Sequence, residues 1–248
     1  MEASMKSVLH SAMTAALVLG LASCAQTTNR PKSPGTAGLV EKVLTADEQA
    51  ALTPDEVISI LKEGNQRFVD NDLTARNHSE QVRRSTLNQF PKAIVLSCVD
   101  SRVPVEDVFD RGIGDIFVAR VAGNFVNEDI LGSMEFATKV AGAKLVLVLG
   151  HEHCGAVKAA IDGVELGNIT GMLENITPAV RAVDYSGDRS SKNPEFVAQV
   201  CQGNVARTMN QIRAQSPIMR EMEDSGEIAI VGAIYDMDNG KVRFIDEP

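Results

Sequence analysis

The sequence predicts an α/β fold: a mainly parallel central sheet of about four strands plus an antiparallel edge strand, with helices on both faces. Three observations carry this. Short apolar, β-branched-rich runs at 93–97, 115–120, 144–149 and 227–235 alternate with stretches whose apolar residues recur at helical spacing. Gly, Pro and Asn mark the junctions between them. The last run turns through Asp238-Asn-Gly240 into 241–245, which reads as a hairpin at a sheet edge. A chain of 248 residues, 44% hydrophobic, is long enough for one core of this kind.

In order, residues 39–51 suit a short amphipathic turn or helix. Thr53-Pro54-Asp55-Glu56 starts a helix, with an N-cap Thr, Pro at the first position and Glu at the third. Val57, Ile58, Leu61, Phe68 and Val69 give its apolar spacing, and Asn71-Asp72 ends it. A second helix is expected over 80–89, closed by Phe90-Pro91. After the strand at 93–97 comes a short helix at 103–109, with Pro104 in its first turn. The strand at 115–120 leads into a tight loop at 121–124. The helix expected over 128–141 draws its apolar surface from Ile130, Leu131, Met134, Phe136, Ala137 and Val140, and Gly142 stops it. Past the strand at 144–149, a helix runs from about Cys154 to Gly163. Helical spacing resumes over 168–183, interrupted by Pro178. A polar loop at 184–193, a long helix at 195–214 and a shorter one at 216–224 lead to the last strands.

The first residues stand apart from this pattern. Residues 1–23 read as an export signal: Lys6 precedes an apolar stretch over 12–22, too short to span a bilayer permanently. Leu21-Ala-Ser-Cys24 resembles the bacterial lipobox, which implies lipidation of Cys24 and membrane attachment through the lipid. Residues 24–45 suit a flexible tether, and 46–248 the folded domain. Ala25, which is not Asp, points by the same resemblance to the outer membrane, facing the periplasm.

A net charge of −9 and a pI near 5.0 exclude a nucleic-acid binder, because no basic stripe could neutralise phosphates. Without Trp, and with two Tyr, the chain is poor in stacking surfaces.

In doubly wound sheets, ligands gather beyond the carboxyl ends of the strands. Cys98 follows one apolar run, and His151 and Cys154 follow another. Two thiolates and an imidazole with a fourth position open make a catalytic zinc set, and suit zinc better than magnesium or calcium. A disulfide between Cys98 and Cys154 is the competing reading in an exported protein. Cys201 is expected as a small buried helix residue, and His153 as an exposed neighbour of the motif.

Cys98-Val-Asp-Ser-Arg102, Arg120-Val-Ala-Gly-Asn124 and Gly150-His-Glu-His-Cys-Gly155 resemble the β-class carbonic anhydrases, specifically their plant-like branch. Gly64-Asn-Gln-Arg-Phe68 adds to a likeness that covers about 53–245. The resemblance implies one Zn2+ per subunit, held by Cys98, His151 and Cys154, and hydration of CO2 to bicarbonate by zinc-bound hydroxide. It implies Asp100 as a fourth ligand in one resting state, and paired with Arg102 in the active one. Gln89 matches a substrate-binding amide. A homodimer or tetramer is implied, with the cleft at the dimer interface and the N-terminal helices gripping the partner. A second branch has a Trp-dependent bicarbonate-inhibition site, which a chain without Trp cannot form in that way. The same ligands would also serve a carbon disulfide or carbonyl sulfide hydrolase, or a non-catalytic zinc-binding lipoprotein.

Overall fold

The computed structural model describes residues 38–245; the signal, Cys24 and the tether up to residue 37 lie outside them. The strands are β1 (Ala93–Ser97), β2 (Ile116–Arg120), β3 (Leu145–His151), β4 (Ala229–Tyr235) and β5 (Val242–Ile245). They form one sheet in the order β2-β1-β3-β4-β5. β1 pairs in parallel with β2 and β3, β3 pairs in parallel with β4, and β5 returns antiparallel to β4. The expected sheet of four parallel strands and an antiparallel edge is therefore the observed one. β1 and β3 are buried along their whole length, as continuous apolar runs covered on both faces must be.

α1 (Ala46–Ala50) and α2 (Pro54–Val69) both begin with capping boxes, Thr45 with Glu48 and Thr53 with Glu56. Domain contacts begin earlier, within the expected tether: the Val40 N–H donates to Ala75 O, and Val40 O accepts from Asn77. The Gly64-Asn65 pair explains its place in the family segment. A Cβ at Gly64 would stand 1.9 Å from Phe109 O, so only glycine lets α2 lie against the end of α4 (Val105–Val108). Buried Asn65 donates to Val108 O and Gly240 O and accepts from the Val242 N–H, tying α2 to both α4 and the hairpin.

Two expectations need correction. The helix expected over 80–89 is α3 (His78–Arg84). Asn77 caps it earlier than expected, and the Ser85 and Thr86 hydroxyls bond back to Gln81 O and Val82 O, closing the last turn before Phe90-Pro91 is reached. The stretch expected as one helix with a single apolar surface is α5 (Glu128–Glu135) continued by a π-helical turn, Phe136–Val140. Leu131, Met134 and Ala137 enter the core, but Phe136 is 52% and Val140 72% exposed. They lie off that stripe, and Phe136 packs edge-on against Phe117 of β2.

The remaining helices are α6 (Gly155–Ile161), α7 (Gly167–Leu173), α8 (Thr177–Ala182), α9 (Pro194–Gln215) and α10 (Pro217–Asp224). α9 crosses β3 and β4 with Val205, Met209 and Ile212 inward. Cys201 is buried on it, as expected. No helix among the described residues is long and apolar enough to cross a membrane.

Candidate metal centre

The chain runs from β1 outward to β2, then returns to place β3 on the other side of β1. The strand order therefore reverses between β1 and β3, and the crevice at their carboxyl ends is the switch point where α/β sheets bind ligands. Cys98 is the residue after β1, and His151 is the last residue of β3. Cys154 is the N-cap of α6. His153 adopts φ +53°, a left-handed conformation that His tolerates better than most residues, and lets the short loop turn Cys154 back beside His151.

The ligand atoms of Cys98, His151 and Cys154 all lie within 4.8 Å of one another, and all three residues are buried. The Cys98 and Cys154 sulfurs are 4.0 Å apart and both thiols are free, so the disulfide reading does not describe this structure. His151 Nδ1 stands 2.8 Å from Glu152 O, where it serves as an N–H donor. That tautomer leaves the Nε2 lone pair turned toward the thiols, buried and without a hydrogen-bond partner. An imidazole oriented by a carbonyl through its other nitrogen is the usual setting of a metal-ligating histidine. The donor set therefore fits a metal ion. Cys154 beside it holds the Cys98 thiol well below its ordinary range against the cost of burial, and His151 and the Gly123 N–H act the same way. In the same pair, the Cys98 sulfur and burial push the Cys154 thiol upward.

Asp100 and Arg102 flank this cluster. Asp100 accepts from the Arg102 backbone N–H at 3.0 Å, from Nε at 2.9 Å and from Nη2 at 2.8 Å. Its Oδ2 is 3.9 Å from His151 Nε2, so the carboxylate borders the metal position while the guanidinium engages it. The Arg102 hydrogen bonds hold the Asp100 carboxyl well below the usual carboxylate range.

Gln89 is not brought to this cluster. It precedes β1 at the amino end of the sheet, in a groove with Leu87, Ile113, Phe136 and Val140. Five strand residues at about 3.3 Å each separate that end from Cys98, so Gln89 is more than about 15 Å from its own chain's ligands.

Three supporting residues escaped the sequence reading, which treated the Arg120–Asn124 stretch as a motif without roles. Arg120 donates to Cys98 O, Asp100 O and Val103 O, gripping the loop that carries the first ligand. Gly123 offers its N–H to Cys98 Sγ at 3.3 Å. Asn204 of α9 donates to Gly123 O at 2.8 Å.

A parallel sheet with two thiols and an imidazole converging at its switch point defines an α/β protein with a site that could hold a metal ion. A family model described as carbonic anhydrase matches residues 93–242. Carbonic anhydrase 2 of Mycobacterium tuberculosis is 37% identical over 192 residues, covering 75% of this chain and 90% of the relative. The carbonic anhydrase of Mycolicibacterium smegmatis is 37% identical over 189 residues, covering 74% and 89%. The fold is that of the β-carbonic anhydrase from Coccomyxa solved with acetazolamide, at a TM-score of 0.61 and 24% identity over 76% of this chain and 86% of that one. Tetrameric β-carbonic anhydrases from Sordaria macrospora give a TM-score of 0.57 at 20% identity, covering 67% and 90%. The chain belongs to the β-class carbonic anhydrase family, enzymes that hydrate carbon dioxide.

Proposed function

We propose that this protein interconverts CO2 and bicarbonate at a zinc ion held by Cys98, His151 and Cys154. The observation that carries this is the bare, buried Nε2 of His151 facing two free thiols, with Asp100 engaged by Arg102 at its edge. Zinc in such a site supplies Lewis acidity that makes water a nucleophile near neutral pH. The chain's own residues do the rest. Asp100, kept ionised by Arg102, is an acceptor that orients a donor beside the ligands. Because Arg102 occupies both carboxylate oxygens, Asp100 would be kept from serving as a further ligand. Released from Arg102, the same carboxylate, with Oδ2 at 3.9 Å from His151 Nε2, would be within reach of an ion held by the three ligands. Arg120 keeps the Cys98–Val103 backbone in place while this exchange occurs.

Gln89 serves the partner subunit's site in this reading. β2 is a sheet edge, flanked by exposed Phe136 and Val140. Antiparallel pairing of two such edges about a two-fold axis brings the amino end of one sheet to the carboxyl end of the other. The tetrameric Sordaria relatives support a homo-oligomer. The lack of Trp supports the plant-like branch, and the Leu21–Cys24 match supports lipid attachment at the outer membrane.

Zinc quantification with stopped-flow CO2 hydration tests the central reading. The expected result is one zinc per chain and hydration that a chelator abolishes; a zinc-loaded protein silent from about pH 7 to about pH 9 would sink it. For attachment, Cys24→Ser should abolish fatty-acid labelling and release the protein from membranes.

A further inference from the structure

The loop after β2 makes a contact with the metal centre that the ligand set does not require. The Asn124 N–H donates to Val121 O at 2.9 Å, closing a four-residue turn whose third residue, Gly123, has φ +84°. That is the geometry of a type II turn. It points the Gly123 N–H away from the turn and toward Cys98 Sγ, 3.3 Å away. The next peptide of the turn is held from a different part of the fold. Asn204, 1% exposed on α9, donates its Nδ2 to Gly123 O at 2.8 Å. The Asn204 Oδ1 is buried without a partner. An apolar residue at this position would avoid that cost, so the one bond Asn204 makes is the reason to keep an amide there.

We infer that Asn204 is a positioning residue for the metal centre: by holding Gly123 O it fixes the turn whose N–H donates to the Cys98 sulfur. A hydrogen bond to a thiolate draws charge from sulfur and weakens its donation to a bound cation. Two thiolates neutralise a divalent ion and blunt its acidity toward water, and this bond offsets part of that loss. A long helix packed across the sheet thus sets the electronic character of a ligand through the turn that both of them hold.

The inference rests on the metal reading of Cys98, His151 and Cys154, and the experiment separates the two. The full chain is loaded with Co2+, and its sulfur-to-cobalt charge-transfer band and its metal affinity by chelator competition are measured. Asn204→Leu, matched in heavy-atom count and branching but without a donor, should move the band to lower energy as the sulfur regains charge, and should weaken metal binding by about tenfold or more because the turn no longer holds the Cys98 loop in its binding geometry. Thr208→Val is the control. Thr208 lies one turn further along α9, fully buried, with its hydroxyl likewise unpartnered, and it does not bond to the turn. It should leave band and affinity unchanged. Asn204→Ser, too short to reach Gly123, carries the same expectation as Asn204→Leu should the latter fail to fold. A folded Asn204 variant with an unmoved band and affinity within twofold overturns the inference, as does an equal shift in Thr208→Val. A wild-type chain that binds no Co2+ or Zn2+ overturns the metal reading itself.

Discussion

Gly123→Ala is the sharpest test of how the fold holds this site. Gly123 has φ +84°, and a Cβ there would lie 2.3 Å from Ile176 Cδ1 and 3.2 Å from its Cγ1. Ile176 is fully buried, so the clash cannot be relieved toward solvent. The left-handed backbone costs an alanine about 1 kcal/mol. Overpacking of a filled core costs about 1–3 kcal/mol more. The stiffer unfolded chain offsets about 0.5 kcal/mol of this, leaving a loss of about 1.5–3.5 kcal/mol. The clashing atom is the one that Ile176→Val removes, a change that alone costs about 1 kcal/mol. The two substitutions should therefore be strongly non-additive, with Gly123→Ala/Ile176→Val no less stable than Gly123→Ala alone. Urea unfolding of the four zinc-loaded proteins at one protein concentration measures this. Metal affinity should follow the same order, because the displaced turn also carries the N–H that reaches Cys98 Sγ. A loss below about 1 kcal/mol in the single variant, or simple additivity in the pair, would refute the steric argument.

Other expectations follow from the same geometry. Asp100→Asn should retain zinc and fold normally but lose on the order of 100-fold in CO2 hydration by stopped flow, the scale of a lost acid–base group. Arg102→Lys keeps the charge but not the two-pronged contact, so hydration should fall while zinc content stays constant. Chelation of the native protein should lower its melting temperature and expose Cys98 and Cys154 to a thiol reagent, and added zinc should reverse both. Burial raises the Asp110 carboxyl, but Arg76, Thr74 and Arg67 together bring it well below the usual range. A carboxyl lowered in the folded state adds stability that is present above the unfolded value near 3.9 and lost as pH falls. Melting temperature should therefore drop less steeply between about pH 5 and about pH 3 in Asp110→Asn than in the native protein. For Gln89, mixing a Gln89→Ala chain with a Cys98→Ser chain should give hybrid dimers in which the one intact metal site faces the one intact amide across the interface. If Gln89 instead served its own chain, the hybrids would be no more active than the Gln89→Ala parent.

What the sequence made legible, and what it did not, divides along a physical line. β1 was readable to the residue because a strand buried on both faces is an uninterrupted apolar run. β3 extends two residues further than its apolar run, since Gly150 and His151 still pair with Ile234 and Tyr235 of β4. A polar residue that closes a ladder looks, in one dimension, like the start of a loop. Helix ends decided by side-chain bonds back to the backbone, as at Ser85, were misjudged for the same reason. The three candidate metal ligands stood out because thiols and imidazoles are rare and lie at or just past strand ends. Arg120, Gly123 and Asn204 did not, because they act through backbone carbonyls and an amide, and any residue type possesses those. The signal that could have found the turn was a glycine in the Arg120–Asn124 stretch directly after a strand. Nothing in the local sequence pointed to Asn204, since its partner becomes a neighbour only when α9 crosses the sheet. The position of Gln89 lay beyond any single-chain reading, because its distance from the ligands follows from strand direction.

The same division locates where the site can move. Cys98, His151 and Cys154 are 4%, 1% and 1% exposed and are rooted in two buried strands and the start of a helix. Displacing any of them means opening the core between β1 and β3. The Cys98–Val103 backbone is further pinned at three carbonyls by Arg120. The Arg102 side chain, by contrast, is 56% exposed, and its contact with Asp100 competes directly with water. Breaking that pair disturbs no packing, whereas moving a ligand disturbs a great deal. If the proposed metal site exchanges between open and closed forms, Asp100 and Arg102 are therefore where the exchange would take place. The buried ligands would stay fixed in such an exchange, because the exposed Arg102 guanidinium is the part of the centre free to exchange partners with water.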